Sequence, residues 1–284
     1  MTRICAVQMA PHLGASIRNG ELVASEIGAA AAEGAELVVF PEAALSGYVF
    51  RSIDEAREAA VERSGPQVTR VAEAAGEAGV HVVCGAIERD GAHLFNSAFV
   101  IGPEGVIGRY RKIHTLCLGA DRFTSPGGEP PRVFELPFGT IGVHICYDGS
   151  FPETARSLRL LGAQLLILPT NWPRLDMKKE TVRVRANENR AFYLAVNRVG
   201  TERGVVFRGG SIAADRDGQV LLEAGAEAGR FHLEIDLHSV DQTREVISPG
   251  EYELDLIQDR WPELYTPITR VVDGVNRTGS RLAE

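Results

Sequence analysis

Three side chains stand out for their type and for where they fall. Cys146 closes the apolar run TIGVHIC, and Tyr-Asp-Gly follows it before a helix-start pattern at Ser150-Phe151-Pro152-Glu153. A sulfur at the C-terminal end of a buried strand, facing the N-terminus of a helix, has the setting of an exposed nucleophile, because the partial positive charge there favours thiolate. The same residue reads equally well as a small buried hydrophobe, the usual fate of a free cysteine. A cysteine nucleophile needs a base. Glu42 comes directly after the strand-like run ELVVF and Pro41, where partial desolvation would raise a carboxyl pKa toward neutrality; alone, it reads as an ordinary loop glutamate. Lys112 ends GRYRK, either as a solvated hairpin charge or as a fixed cation aimed at a developing oxyanion.

The histidines are weaker candidates. His144 lies two residues before Cys146 on the same strand face, and an i, i+2 separation of roughly 6–7 Å is too long for a direct hydrogen bond. It reads as a core histidine bonded to backbone, and His114 as a structural hydrogen-bonder. Glu153 is accounted for as the third helical residue of a capping box begun by Ser150. The NENR stretch at 187–190 reads as a solvated face or an ion-pair network.

The elements that would carry these residues alternate between strand and helix. Residues 3–8, 36–40, 81–88, 140–146, the run QLLILP and FYLAVNRVG read as buried strands, with a hairpin at 93–101 and 106–112 turning on Gly-Pro-Glu-Gly. Helices are expected over 15–33, with Ile17, Val23, Ile27 and Ala31 on one face, from Pro66 to Gly79, from Ser150 to Leu161, and over roughly 176–191. Short strands follow near 211–214, 219–223 and 231–236, and 115–131 reads as loop. This order argues a mixed sheet with helices packed outside it, and no linker or repeat divides the chain.

Composition sets the outer bounds. At 284 residues the chain is long enough for one large α/β domain with its own core. Hydrophobic residues make up 44% and charged residues 24%, which is a globular rather than a disordered balance. The net charge of −8, without a long basic run, argues against nucleic acid or an anionic membrane as partner. No run approaches the roughly 18 apolar residues of a membrane span, and MTRICAVQMA lacks the pattern of a signal peptide. Cys5, Cys84, Cys117 and Cys146 form no C-x-x-C pair, so a cytoplasmic protein with reduced thiols is expected. Cys117 reads as a space-filler beside the site, and the Asn-Arg-Thr at Asn276 as a chance match to a glycosylation acceptor. Two other classes find little support. A doubly wound nucleotide-binding protein would need a G-x-G-x-x-G turn or a Walker lysine after the first strand, where the chain reads AVQMAPHLG; a redox thiol protein would need a second cysteine near Cys146.

Taken together, FPEAALSGY with Glu42, YRKIH with Lys112 and ICYDGSFPE with Cys146 resemble the nitrilase superfamily of carbon–nitrogen hydrolases in order and spacing. AVQMAP, FNSAFVIGPEGVIGRYRK, PTNWP and RANENRAFYLAVNRVG extend the resemblance over about residues 3–265. It implies an α-β-β-α sandwich at 1–265 as a single domain, followed by a C-terminal tail at 266–284. It also implies a Glu42–Lys112–Cys146 triad that hydrolyses a small-molecule amide through a thioester, with help from the backbone N–H of Tyr147. No cofactor or metal is implied, and a homo-oligomer, dimer or larger, is. Many members carry a second glutamate after the lysine; here the best candidate is Asp121, one methylene shorter, which reads equally as a turn aspartate beside Arg122. Cys-Tyr-Asp resembles the aliphatic amidases more than the Cys-Trp-Glu of nitrilases. Gly149 and Ser150 weaken the N-carbamoyl-amine amidohydrolase alternative. An inactive binding module on the same fold would not need all three triad residues. Tyr48, Tyr147, Asn171 and Trp172 are expected to wall the substrate pocket, although Trp172 reads equally as a core aromatic and Asn171 as a loop residue bonded to local backbone.

Overall fold

Apolar runs with both faces buried dictate the architecture. In the computed structural model, which describes residues 1–174 and 178–270, alternate residues of each central strand serve two different cores. The first sheet is built from β1 (Thr2–Gln8), β2 (Leu37–Val39), β3 (His81–Asp90), β4 (His93–Gly102) and β5 (Gly105–Arg111). Alternate residues within each strand separate cleanly: Ile4, Ala6, Leu37, Val39 and Val83 face one way, while Cys5, Val7, Val38, Val82 and Cys84 face the other. The second sheet contains β6 (Val133–Leu136), β7 (Gly139–Val143), β8 (Leu165–Pro169) and β9 (Phe192–Val196). After a separate hairpin of β10 (Val199–Glu202) and β11 (Val205–Arg208), it adds β12 (Ile212–Ala214) and β13 (Val220–Glu223). β14 (Gly229–Ile235) returns to the edge of the first sheet beside β1.

The two sheets run β14-β1-β2-β3-β4-β5 and β13-β12-β9-β8-β7-β6. Each has three parallel strands, β1-β2-β3 and β7-β8-β9, with antiparallel partners on either side. They pack face to face through a shared core that joins Ile4, Leu37 and Val83 to Ile141, Val143, Leu165, Ile167 and Leu194. Helices α1 (Ser16–Ala32) and α3 (Pro66–Ala78) cover the outer face of the first sheet; α4 (Pro152–Leu160) and α5 (Lys178–Asn189) cover that of the second. This is the expected α-β-β-α sandwich. Period-2 strands buried on both faces read as near-continuous apolar runs, which is why they were visible in the sequence.

Local detail departs from expectation in several places. In α1 the buried face runs through Asn19, Val23, Ile27 and Ala30, and Ile17 is exposed. A short helix, α2 (Ile53–Ala59), was not anticipated; Ser52 caps it by accepting a bond from the Glu55 N–H at 3.2 Å. Ser150 does not begin a capping box. Residues Cys146–Ser150 form a turn of 3-10 helix, and Phe151 caps α4 without a side-chain bond, with Pro152 at the first helical position. Pro fits there because its missing N–H is unneeded in the first turn. A single 3-10 turn, Gly119–Arg122, interrupts the loop at 115–131. A final hairpin, β15 (Glu245–Ser248) with β16 (Tyr252–Leu254), and the short α6 (Thr266–Thr269) complete the described chain. The rest of the expected tail and Asn276 lie outside the described residues, as does the start of the helix expected from 176. Among the described residues no helix is long and apolar enough to cross a membrane.

Candidate active site

The C-terminal ends of strands from both sheets meet at one place, as ligand sites in α/β sheets commonly do. Glu42 lies just beyond β2, Lys112 directly beyond β5, Cys146 beyond β7, and Asn171 and Trp172 beyond β8. Glu42 and Lys112 are buried; Cys146 is partly exposed. Lys112 Nζ donates to Glu42 Oε1 at 2.8 Å and to Asp121 Oδ2 at 2.7 Å. Asp121 lies in the turn Gly119–Arg122 and its carboxylate is also paired with Lys112.

Asn96 on β4 completes this array, and sequence reading missed it. Its Nδ2 donates to Glu42 Oε1 at 2.7 Å and to Asp121 Oδ1 at 2.8 Å, and its carbonyl accepts from the Lys112 N–H at 2.8 Å. One oxygen of Glu42 is therefore pinned by two donors, while Oε2 has no partner. Close packing sets the position of this carboxylate. A Cβ on Gly85 of β3 would lie 2.4 Å from the Pro41 carbonyl and 2.7 Å from Glu42 Cα, so only glycine lets the two backbones approach.

Cys146 adopts φ +47°, and Ala43, directly after Glu42, adopts φ +52°. Both lie in the left-handed region that is uncommon for residues with a Cβ, and such strain persists only where surroundings over-determine it. The β7–β8 register, Val143 against Ile167, continues to set Thr170 beside Cys146. The Lys112 charge, followed by the Thr170 hydroxyl and the Asn171 N–H, stabilises negative charge on the sulfur. Their effect is outweighed. Burial, followed by the Glu42 charge, pushes the Cys146 thiol up to about 12, so the resting sulfur is protonated. Burial also opposes the charge on Lys112, but Asp121 and Glu42 together hold its pKa well above the ordinary lysine range. Burial raises Asp121 to about 6 against the pull of Lys112.

Tyr48 is buried and within electrostatic range of Asp121, Lys112, Glu42 and Cys146. Its loop is held by Glu202, whose Oε2 accepts from the Tyr48 and Val49 amides at 3.0 and 2.8 Å. A Cβ on Gly119 would sit 2.4 Å from the Tyr48 ring. Asn171 is buried with both side-chain polar atoms unpartnered, so it is not the loop asparagine bonded to local backbone. Trp172 packs among Ala155, Leu168 and Val182, which is the core reading, yet its indole N–H has no partner. Tyr147 is 40% exposed and meets the Phe151 ring edge-on at 5.1 Å. Cys117 is exposed rather than a filler. His114 bonds Asp148 as expected, whereas His144 is buried against Tyr193 with neither ring nitrogen bonded. Among the described residues no group of three or more His, Cys, Asp or Glu is arranged to hold a metal ion.

Comparisons with known proteins identify the family and its fold. A family model described as carbon-nitrogen hydrolase matches residues 3–245. A protein named nitrilase from Pyrococcus abyssi is 38% identical over 267 residues, spanning 93% of this chain and 99% of its own. An (R)-stereoselective amidase from Pseudomonas sp. is 34% identical over 262 residues, spanning 91% of each. The solved amidase from Nesterenkonia sp. superposes with a TM-score of 0.78 at 25% identity, covering 94% of this chain and 96% of that one. A variant of that amidase carries acrylamide added at its active-site cysteine.

Proposed function

The chain belongs to the carbon-nitrogen hydrolase family, and from that premise we propose that it is an amidase cleaving a small carboxamide to acid and ammonia through a thioester on Cys146. The observation that carries this reading is the buried Glu42–Lys112–Asp121–Asn96 array beside a partly exposed, protonated cysteine. A thiol held up to about 12 is a poor nucleophile until its proton is taken. The free oxygen of Glu42 is the acceptor for that proton. As Glu42 Oε2 takes it, the sulfur attacks the amide carbon and the carbonyl becomes an oxyanion. Two of the three ammonium protons of Lys112 are held by carboxylates, which leaves one for the oxyanion. A second donor is the Tyr147 N–H. The first bond of its turn runs from the Asp148 N–H to the Ile145 carbonyl at 2.9 Å, so the Tyr147 amide precedes the bonded ladder.

Collapse of the tetrahedral intermediate breaks the C–N bond, and Glu42 returns its proton to the leaving nitrogen, releasing ammonia. Water then attacks the thioester carbon and gives its proton to Glu42. The C–S bond breaks, the sulfur is reprotonated, and the acid departs. Asp121 and Asn96 hold Lys112 and Glu42 in place throughout, and Tyr48, Asn171 and Tyr147 surround the acyl group. The unpartnered amide of Asn171 is the group with free capacity to bond a polar substituent on it.

A nitrilase reading has one observation in its favour, the name carried by the Pyrococcus abyssi relative. A panel of short amides, nitriles and N-carbamoyl compounds with hydroxylamine as acyl acceptor separates the readings. Hydroxamate from amides, with a mass adduct on Cys146, is expected. Adduct from nitriles alone would make the protein a nitrilase, and turnover of N-carbamoyl substrates alone would make it a carbamoylase. With an accessible thiol, the absence of any adduct would leave a binding module. Glu42→Gln should fold normally and lose turnover; full activity in that variant would remove Glu42 as the base.

A further inference from the structure

The triad is divided between the two sheets. Lys112 extends β5 of the first and Cys146 extends β7 of the second. Nothing in a face-to-face packing of apolar strands fixes their relative position to the few tenths of an ångström that a reacting pair needs. Asp148 spans this joint. It is fully buried, and its carboxylate accepts three hydrogen bonds and meets the His114 ring. Oδ2 accepts from the Ile145 N–H at 3.0 Å and from the Tyr110 hydroxyl at 2.8 Å. Oδ1 accepts from the His114 N–H at 3.0 Å and lies 2.7 Å from His114 Nδ1.

These donors come from two directions. Ile145 precedes the nucleophile, and the Asp148 N–H in turn donates to the Ile145 carbonyl at 2.9 Å, so a reciprocal pair of bonds closes the turn that holds Cys146 at positive φ. Tyr110 and His114 flank Lys112 at two residues on either side. The His114 ring is fixed further by stacking on Phe151 at 3.7 Å. The carboxyl pKa is lowered: burial opposes the charge, but the His114 ring, Lys112 and the two backbone N–H groups outweigh it. We infer that Asp148 is a positioning residue that locks the nucleophile turn of one sheet to the lysine segment of the other, setting the sulfur-to-ammonium geometry in which the oxyanion forms. This rests on Cys146 being the nucleophile and Lys112 the oxyanion donor.

Asp148→Asn tests it. The amide keeps one acceptor oxygen and turns an NH2 toward donors, so at least one backbone N–H of the joint loses its partner. Two rates are compared with wild type: turnover of the best amide substrate, and alkylation of Cys146 by iodoacetamide, read by mass. Alkylation forms no oxyanion and does not need Lys112 aligned. The expected result is one label per chain with alkylation slowed little, KM little changed, and kcat lowered about 10²-fold, the scale of a misplacement of about 1 Å. Tyr110→Phe keeps the packed ring and removes one inter-sheet bond; it should lower kcat in the same direction by less, and it decides the matter if Asp148→Asn does not fold. Wild-type kcat in the folded variants would overturn the inference, as would a loss of labelled fraction in which the remaining sites turn over at the wild-type rate. Failure of the wild-type protein to label at Cys146 would overturn the nucleophile reading together with this one.

Discussion

At the scale of single residues, the proposed chemistry turns on how few protons Lys112 has to spare. Its ammonium is held between Glu42 and Asp121 at 2.8 and 2.7 Å, and both partners are buried. Lys112→Arg preserves the charge and changes the geometry, since a planar fork cannot hold two carboxylates on one face and aim a single donor at a third point. We expect kcat on the best amide to fall by about 10²–10³-fold, the usual cost of losing one oxyanion donor. Circular dichroism should remain unchanged, and an arginine variant with near-normal kcat would remove Lys112 from the oxyanion site. Glu42 and Cys146 stood out in the sequence because each follows an apolar run, and Lys112 because it ends a hairpin strand; the structure brings the side chains of Glu42 and Lys112 into direct contact. Asn96 was not, although it touches both carboxylates and the lysine backbone. An asparagine inside a hairpin strand has no pattern of its own, and its role exists only once β4 lies between the ends of β2 and β5. Asn171 was expected at the pocket wall, beside the reading of a loop asparagine that satisfies its own backbone; its unpartnered amide removes that second reading.

At the scale of elements, the strands were read well and the joints between them poorly. Runs buried on both faces declare themselves, as LLILP and FYLAV do. The start of α4 was misplaced because a 3-10 turn occupies Cys146–Ser150, where Ser-Phe-Pro-Glu otherwise resembles a capping box. The seven residues of α2 are too few to show a hydrophobic period. The close approach at Gly85 is another joint without a sequence signature. A glycine inside a strand weakens it unless something passes close by, and here the Pro41 carbonyl and the Ala43 N–H would lie 2.4 and 2.6 Å from an added Cβ. Gly85→Ala must therefore displace the loop that carries Glu42. The expected cost is about 1–3 kcal/mol of stability from overpacking, with turnover reduced well beyond any loss of folded fraction. Chemical denaturation and kcat per labelled Cys146 measure the two separately; an alanine variant of wild-type turnover would mean that the Glu42 loop is not held by this contact.

At the scale of the whole molecule, burying this much polar chemistry between two apolar sheets makes stability depend on pH through groups of opposite sign. His144 sits in the second sheet with neither ring nitrogen bonded and Tyr193 edge-on at 5.4 Å. Burial, aided by the charges of Arg185 and His114 and opposed by that of Asp148, lowers its pKa from 6.5 to about 4. The unfolded chain therefore holds a proton that the folded chain refuses between those values. The His144 contribution is present above pH 6.5 and is lost as the pH falls toward 4, by at most about 3 kcal/mol. Asp121 acts in the other direction. Its folded pKa of about 6 lies above the 3.8 of an ordinary aspartate, so its share of stability grows as the pH falls through 6. The two windows overlap, and wild-type stability between pH 4 and 6.5 reflects their near cancellation together with the remaining carboxylates. His144→Phe removes one side of this balance while keeping a ring against Tyr193. The difference in unfolding free energy between variant and wild type should be flat above pH 7 and move in favour of the variant as the pH falls from 6.5 to 4. A difference that stays constant across that range would mean that His144 takes up its proton in the folded state as readily as in the unfolded chain, with the Asp148 charge offsetting the cost of burial.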